Sequence, residues 1–195
     1  MLVVSPVHGA QRMIIGTQLE PPVLDPTANP AAAISEVLYG NVYEGLVQFA
    51  ADGSVLPRLA LSWEISSDGL SYLFHLKSGV RFHDGGEFDA AAAKYSLERI
   101  VAPGSTNPQR SRLQAIRAVE VVDPLTLRVL LSRRSGGLLQ SLAFGSAVMV
   151  SRTSAMSNAV RPIGTGPFRF LRWRRGDSIT LERNPDYAGD RKSVV

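Results

Sequence analysis

The sequence has no cysteine. That absence excludes a disulfide framework, a thiolate nucleophile and a cysteine zinc site, and it leaves the redox compartment open. Histidine is scarce, with three in 195 residues. His75 and His83 stand close together in "SYLFHLKSGVRFHDG", but no third ligand follows at helical or hairpin spacing, so the zinc signal is weak. No apolar run approaches the roughly 18 residues of a membrane span. The opening "MLVVSPVHGAQR" is too short for a complete secretion signal, although it fits the tail end of one. A dominant charge sign is missing as well. Lys and Arg number 21 against 17 Asp and Glu, for a net charge of +4 and a pI near 9.8. The basic residues are scattered, with short pairs only at Arg133-Arg134 and Arg174-Arg175, which reads as a solvated surface and gives no footprint for nucleic acid or an anionic membrane.

What is present is a composition of 45% hydrophobic and 19% charged residues, enough for one or two units with a real core. Residues 13–15 begin as an apolar strand and break into a loop stiffened by Pro21, Pro22 and Pro26. Asn29-Pro30 predicts a helix start, with Ile34, Val37, Leu38, Val42 and Leu46 at helical spacing through "AAAISEVLYGNVYEGLVQF". Leu70, Tyr72, Phe74 and Leu76 alternate with polar residues, which predicts a half-buried strand, and residues 80–82 a shorter one. Asp89 is a candidate N-cap for "AAAAKYSLERI", with Leu97 and Ile100 toward the core. The segment "AVEVVDPLTLRVLLS" predicts two strands with a turn at Asp123 to Thr126. "GGLLQSLAF" predicts a short helix, "AVMVS" a short buried strand, and "FRFLRWRRGDSITLERN" a hairpin turning at Arg175 to Ser178. Such mixed, non-alternating elements indicate an α+β or complex α/β chain.

The motifs that suggest chemistry weaken on inspection. "GTGPF" lacks the Lys-Ser/Thr of a phosphate loop and precedes a strand-like segment. Arg175-Gly176-Asp177 at a hairpin tip is explained by turn preferences. Asp84, Glu87 and Asp89 cluster where negative charge favours a helix start. Glu20 differs, because a carboxylate on a rigid loop after a strand is well placed to meet a cationic or amide-bearing ligand.

Several segments together, "VLDP" (23–26), "VYEGLVQF" (42–49), "LPRLALSWEISSDGLSYLFHLKSGVRFHDGGEFDA" (56–90), "YSLERI" (95–100), "GTGPFRF" (164–170) and "ITLERNPDY" (179–187), carry a resemblance. The chain resembles the large-lobed extracytoplasmic solute-binding proteins of peptide, nickel and opine ABC transporters. The resemblance implies an α/β (mixed α+β) fold of the periplasmic-binding-protein type II kind, comprising the first lobe plus an extra subdomain, with the second lobe missing. It places residues 1–33 and 138–189 in that lobe and 34–137 in the inserted subdomain. It implies a binding protein and no enzyme, with no catalytic residue, cofactor or metal. The ligand would be a peptide or other small molecule and the protein partners ABC transporter permease subunits, with no nucleic acid and no membrane span of its own. The location would be periplasmic or extracytoplasmic.

The resemblance also implies that Glu20, Pro21, Pro22 and Val23 contact ligand. The double proline departs from the family pattern and removes backbone donors, which favours a short peptide or non-peptide solute over strand-like peptide binding. Residues 190–195 are what the adapter GATCGGAAGAGCGTCGTG encodes in frame, so a truncated reading frame with a non-native tail is expected. Such a portion alone would expose apolar surface and bind solute poorly. Two rival readings are a hydrolase using Glu20 or the His83-Asp84 pair, and a basic interaction domain.

Overall fold

Residues 13–189 are described by a computed structural model. Along the chain run α1 (Ala32–Leu38), β1 (Val47–Phe49), β2 (Val55–Pro57), β3 (Ala60–Ile65), β4 (Ser71–Leu76), α2 (Ala90–Val101), α3 (Arg110–Leu113), β5 (Ile116–Asp123), β6 (Thr126–Leu131), α4 (Leu138–Leu142), a 3-10 turn (Gly145–Ala147), β7 (Phe168–Arg174) and β8 (Ser178–Arg183). The readings of residues 1–12 as the end of a leader and of residues 190–195 as a non-native tail lie outside the described residues.

The largest sheet is antiparallel in the order β3-β4-β6-β5. Its register pairs Tyr72 with Val129 and Phe74 with Leu127, and Val119 with Val129, so one face collects the buried apolar side chains while the other mixes Glu64, His75 and Arg128 with the half-buried Leu73 and Leu130. Helix α2 covers the apolar face through Ala93, Leu97 and Ile100. It starts where expected, because the Asp89 carboxylate accepts the Ala92 amide at 2.8 Å and satisfies one of the free donors of the first turn. It stops at Ala102, which is extended because Pro103 follows.

A second buried cluster comprises Leu24, Ile34, Leu38, Val42, Tyr43, Val148, Val150 and Ala155. The β7–β8 hairpin lies against it through Phe170, Trp173, Ile179 and Leu181. The two clusters meet where Gly45 and Val148 form an antiparallel bridge.

Four local expectations differ from the structure. Helix α1 ends at Leu38 and does not run to Phe49, since Gly40 adopts φ 75° and the Asn41 side chain donates to the Val37 carbonyl at 2.9 Å, closing the helix end. Val42 and Leu46 keep their buried positions in the turn that follows. Residues 80–82 lead into a tight turn at residues 83–85 and pair across it only through an isolated Arg81–Glu87 bridge, not as a strand. "AVMVS" is buried and extended, but its polar groups go to Glu44 and to Ser96 of α2 and not to a ladder. Residues 13–15 pair with no strand among the described residues, and Met13, Ile14 and Ile15 are at least 75% exposed.

Candidate functional site

The loop after residue 15 takes its shape from proline. Pro21 is buried, Glu20 and Pro22 are exposed and Val23 is half-buried. The next residue, Leu24, donates its amide to Ala159 at 2.8 Å. The Glu20 carboxylate accepts the Trp173 indole N–H at 2.8 Å, and both of its oxygens lie 3.0 Å from the Gly176 amide. This loop is therefore docked on the tip of the β7–β8 hairpin, which Gly176 turns with φ 72°. The Arg175 guanidinium lies 4.0 Å from the centre of the Trp173 ring, a favourable cation–π geometry. Glu20 thus joins the loop to the hairpin and meets its own chain first, while Pro21, Pro22 and Val23 follow it along the loop.

Asp25 anchors the other end of the loop. Its carboxylate accepts the Thr27 amide at 2.8 Å and the Thr27 hydroxyl at 2.6 Å, and Arg99 of α2 pairs with it at 3.3 Å. Arg99 also donates to the Thr27 hydroxyl. A buried acid with these partners is a tether between loop and helix.

Glu44 had no reading in the sequence, and it is the centre of a buried network. Its Oε1 meets Arg58 Nε at 2.6 Å and the Tyr187 hydroxyl at 2.9 Å, while Thr165 donates to Oε2 at 2.8 Å. Arg58 donates in turn to the Tyr187 hydroxyl at 2.8 Å. Burial, and then the nearby Glu44 charge, push the Tyr187 phenol well above its ordinary value, so it remains a donor. Four of the segments that carry the resemblance converge here: "VYEGLVQF", the "LPR" opening of the longest, "GTGPFRF" and "NPDY".

His83, whose zinc signal is weak in the sequence, pins the "GTGPF" loop. Its amide donates to the Gly164 carbonyl at 2.8 Å, its Nε2 donates to the Gly166 carbonyl at 2.9 Å, and Nδ1 accepts the Gly164 amide at 3.4 Å. Those roles use the neutral Nε2–H tautomer. Burial foremost, with Arg169 adding to it, lowers the His83 pKa below 6.5, against opposing effects of Gly166 and Asp84. The unfolded chain then binds the proton more readily. Stability tied to His83 is complete above about pH 6.5 and is lost as pH falls through the lowered folded value. The melting temperature should therefore drop between about pH 7 and pH 5, and less steeply in His83→Gln, which keeps a donor but does not titrate. Equal slopes in the two proteins would contradict this role.

His83 and Asp84 do not form a dyad. Partial burial alone would raise the Asp84 carboxyl, but the Thr153 and Ser151 hydroxyls and the Gly86 amide hold it below its usual value. Asp84 thus fastens residues 151–153 at 2.8 Å while His83 faces the glycine loop. Asp89 alone of the three clustered acids caps a helix, since Glu87 pairs with Arg81 at 3.1 Å. His75 lies on the exposed face of β4 and meets Glu64 at 3.1 Å. No group of three or more His, Asp or Glu suited to a metal ion occurs among the described residues.

These motifs share one use, fastening distant segments of the chain to one another. Residues 54–194 match the family of bacterial extracellular solute-binding proteins, family 5 Middle. The chain belongs to this family. It is 35% identical over 191 residues to the glutathione-binding protein GsiB of Pectobacterium atrosepticum, covering 95% of this chain and 37% of that protein. Among solved structures, it resembles the binding protein AgaA in complex with agropinic acid from A. tumefacien R10, with TM-score 0.81 and 35% identity over 87% of this chain and 35% of the other. It also resembles NikZ from Campylobacter jejuni in complex with Ni(L-His), with TM-score 0.78 and 28% identity over 88% of this chain and 35% of the other. The mixed α/β fold is that of the type II periplasmic binding proteins, and the chain spans little more than a third of the length of these relatives.

Proposed function

We propose that residues 13–189 form one wall of a solute cleft in the binding component of an ABC importer. This component captures a short peptide or similar small solute outside the cytoplasm and delivers it to permease subunits. The family match over residues 54–194 carries the reading. The docked loop supports it: a proline-stiffened edge, Glu20 to Val23, held at one end by the hairpin and at the other by Asp25–Arg99, is pre-organised to meet a ligand without moving. A facing lobe would supply the other half of the contacts and drive closure. Leu19, Met156, Val160 and Leu171, each more than half exposed, favour such a partner surface.

In this reading the lobe and the inserted subdomain divide near Gly45 and Val148, in place of the 34–137 bounds that the resemblance implies. Helix α1 packs in the smaller cluster with Val148, Val150, Ala155 and the hairpin, while residues 46–147 together with Met149 supply the larger one. The function is binding and not turnover, since the histidine, the acids and the hydroxyls of the corner fasten the chain to itself. Calorimetric titration with short peptides, glutathione and opine acids tests the reading, using these residues joined to a facing lobe of the relatives' size. Saturable binding of a solute recovered unchanged supports it, and recovery of a cleaved solute would contradict it.

A further inference from the structure

We propose that Arg175 is a solute-binding residue whose guanidinium, laid on Trp173 beside the Glu20–Val23 edge, receives an oxyanion group of the ligand. This rests on the solute-binding reading above and adds a chemical class to it. Trp173 is half-buried against the smaller cluster, and its indole N–H is held by Glu20, so the ring is a fixed platform. Arg175 stacks on that platform, which orders the side chain while leaving its N–H fork free to bond. A planar fork of this kind matches a carboxylate or phosphate with two parallel hydrogen bonds.

Arg175 has no acidic ion-pair partner among the described residues, as is also true of Arg152, Arg161, Arg172 and Arg183, and it alone of these stacks on the ring that Glu20 holds. Arg174 meets Asp177 at 3.5 Å, Arg169 meets Asp186 at 2.6 Å, and Arg99 and Arg58 have Asp25 and Glu44. The two acids of this corner are occupied: Glu20 by Trp173 and Gly176, Asp177 by Arg174 and the Ser178 hydroxyl. The wider charge distribution agrees. Residues 152–183 contain seven arginines against Asp177 and Glu182, a net +5, while the whole chain nets +4. The rest of the chain is therefore slightly negative, and the excess positive charge lies on the hairpin and the segment leading to it. Within a Debye length of about 8 Å such a grouping attracts anions and repels cations.

The test is an NMR titration of the ¹⁵N-labelled chain, read at the Trp173 indole and Gly176 amide, with the Trp63 indole as an internal control. Succinate should shift both reporters saturably and leave Trp63 in place, whereas uncharged succinamide should shift neither. Inorganic phosphate as a parallel arm identifies the oxyanion: a stronger response to succinate assigns a carboxylate, a stronger response to phosphate a phosphate. Arg175→Ala should reduce the reporter shifts at least fivefold, and Arg175→Lys should retain an intermediate response. The proposal is overturned if succinate and phosphate shift neither reporter, if succinamide acts as well as succinate, or if Arg175→Ala responds like the parent. It is overturned equally if anionic phosphatidylglycerol vesicles shift the reporters and the soluble anions do not. No facing lobe is needed, so failure here leaves the solute-binding reading to its own titration.

Discussion

Glu44→Ala should lower the stability by about 3–5 kcal/mol, because it strands the Arg58 guanidinium in a site without a counter-charge. Glu44 and Arg58 have side-chain exposures of only 4% and 15%, so water cannot replace the missing carboxylate. Thr165 and Tyr187 lose their acceptor in the same step, and each unsatisfied buried hydroxyl adds to the cost. At about 2–4 °C per kcal/mol for a domain of this size, the melting temperature should fall by about 6–20 °C. The pair itself is a weaker source of stability than this loss suggests, since its desolvation offsets much of its attraction. A double replacement, Glu44→Leu with Arg58→Met, should therefore recover most of the loss. Thermal and urea unfolding of the three proteins check this. A loss below about 1 kcal/mol in Glu44→Ala would mean that the network is hydrated.

Gly164→Ala should be as damaging, by a different mechanism. A Cβ on Gly164 would lie 1.9 Å from the Val42 carbonyl oxygen and 2.7 Å from its carbon. Both are backbone atoms, so no side-chain rotation relieves the overlap, and the loop must separate from residues 41–44. That separation would break the bond from the Gly166 amide to Val42 at 3.0 Å and loosen the Thr165–Glu44 contact. A cost above about 4 kcal/mol, or failure to accumulate folded protein, is expected. Gly136→Ala is the control. Its Cβ would meet nothing within 4 Å, and its effect should stay within about 0.5 kcal/mol. Comparable melting temperatures for the two variants would show that the loop has room the geometry denies.

Locally encoded structure was legible in the sequence, and long-range polar contacts were not. The alternation through Tyr72, Phe74 and Leu76, the Asp89 cap and the β7–β8 hairpin each depend on neighbours a few residues away, where side-chain period and turn chemistry decide the outcome. The overextended α1 shows the limit: the apolar spacing continues past Gly40, but a left-handed glycine and the Asn41 side chain end the helix while Val42 and Leu46 stay buried in other geometry. Glu44 was missed because its partners Thr165 and Tyr187 stand 121 and 143 positions away. The role of His83 was not legible because it pins a carbonyl 83 positions on. The available signal was collective, since Glu44, Arg58, Thr165, His83 and Tyr187 all fall within segments that carry the family resemblance. For Glu20, a rigid loop acid was legible, but its engagement by Trp173 and Gly176 depends on a hairpin tip more than 150 positions on.

The most direct measurement is the calorimetric titration made on two proteins in parallel: these residues joined to a facing lobe, and the 195-residue chain by itself. If the wall built from Glu20 to Val23 and the β7–β8 hairpin works by closing against a second surface, the joined protein should bind one solute of the panel with micromolar affinity or better. The chain by itself should bind the same solute at least ~100-fold more weakly, because a one-sided cleft cannot desolvate its ligand. Equal affinity in the two proteins, or no binding of any solute by the joined one, would contradict the account.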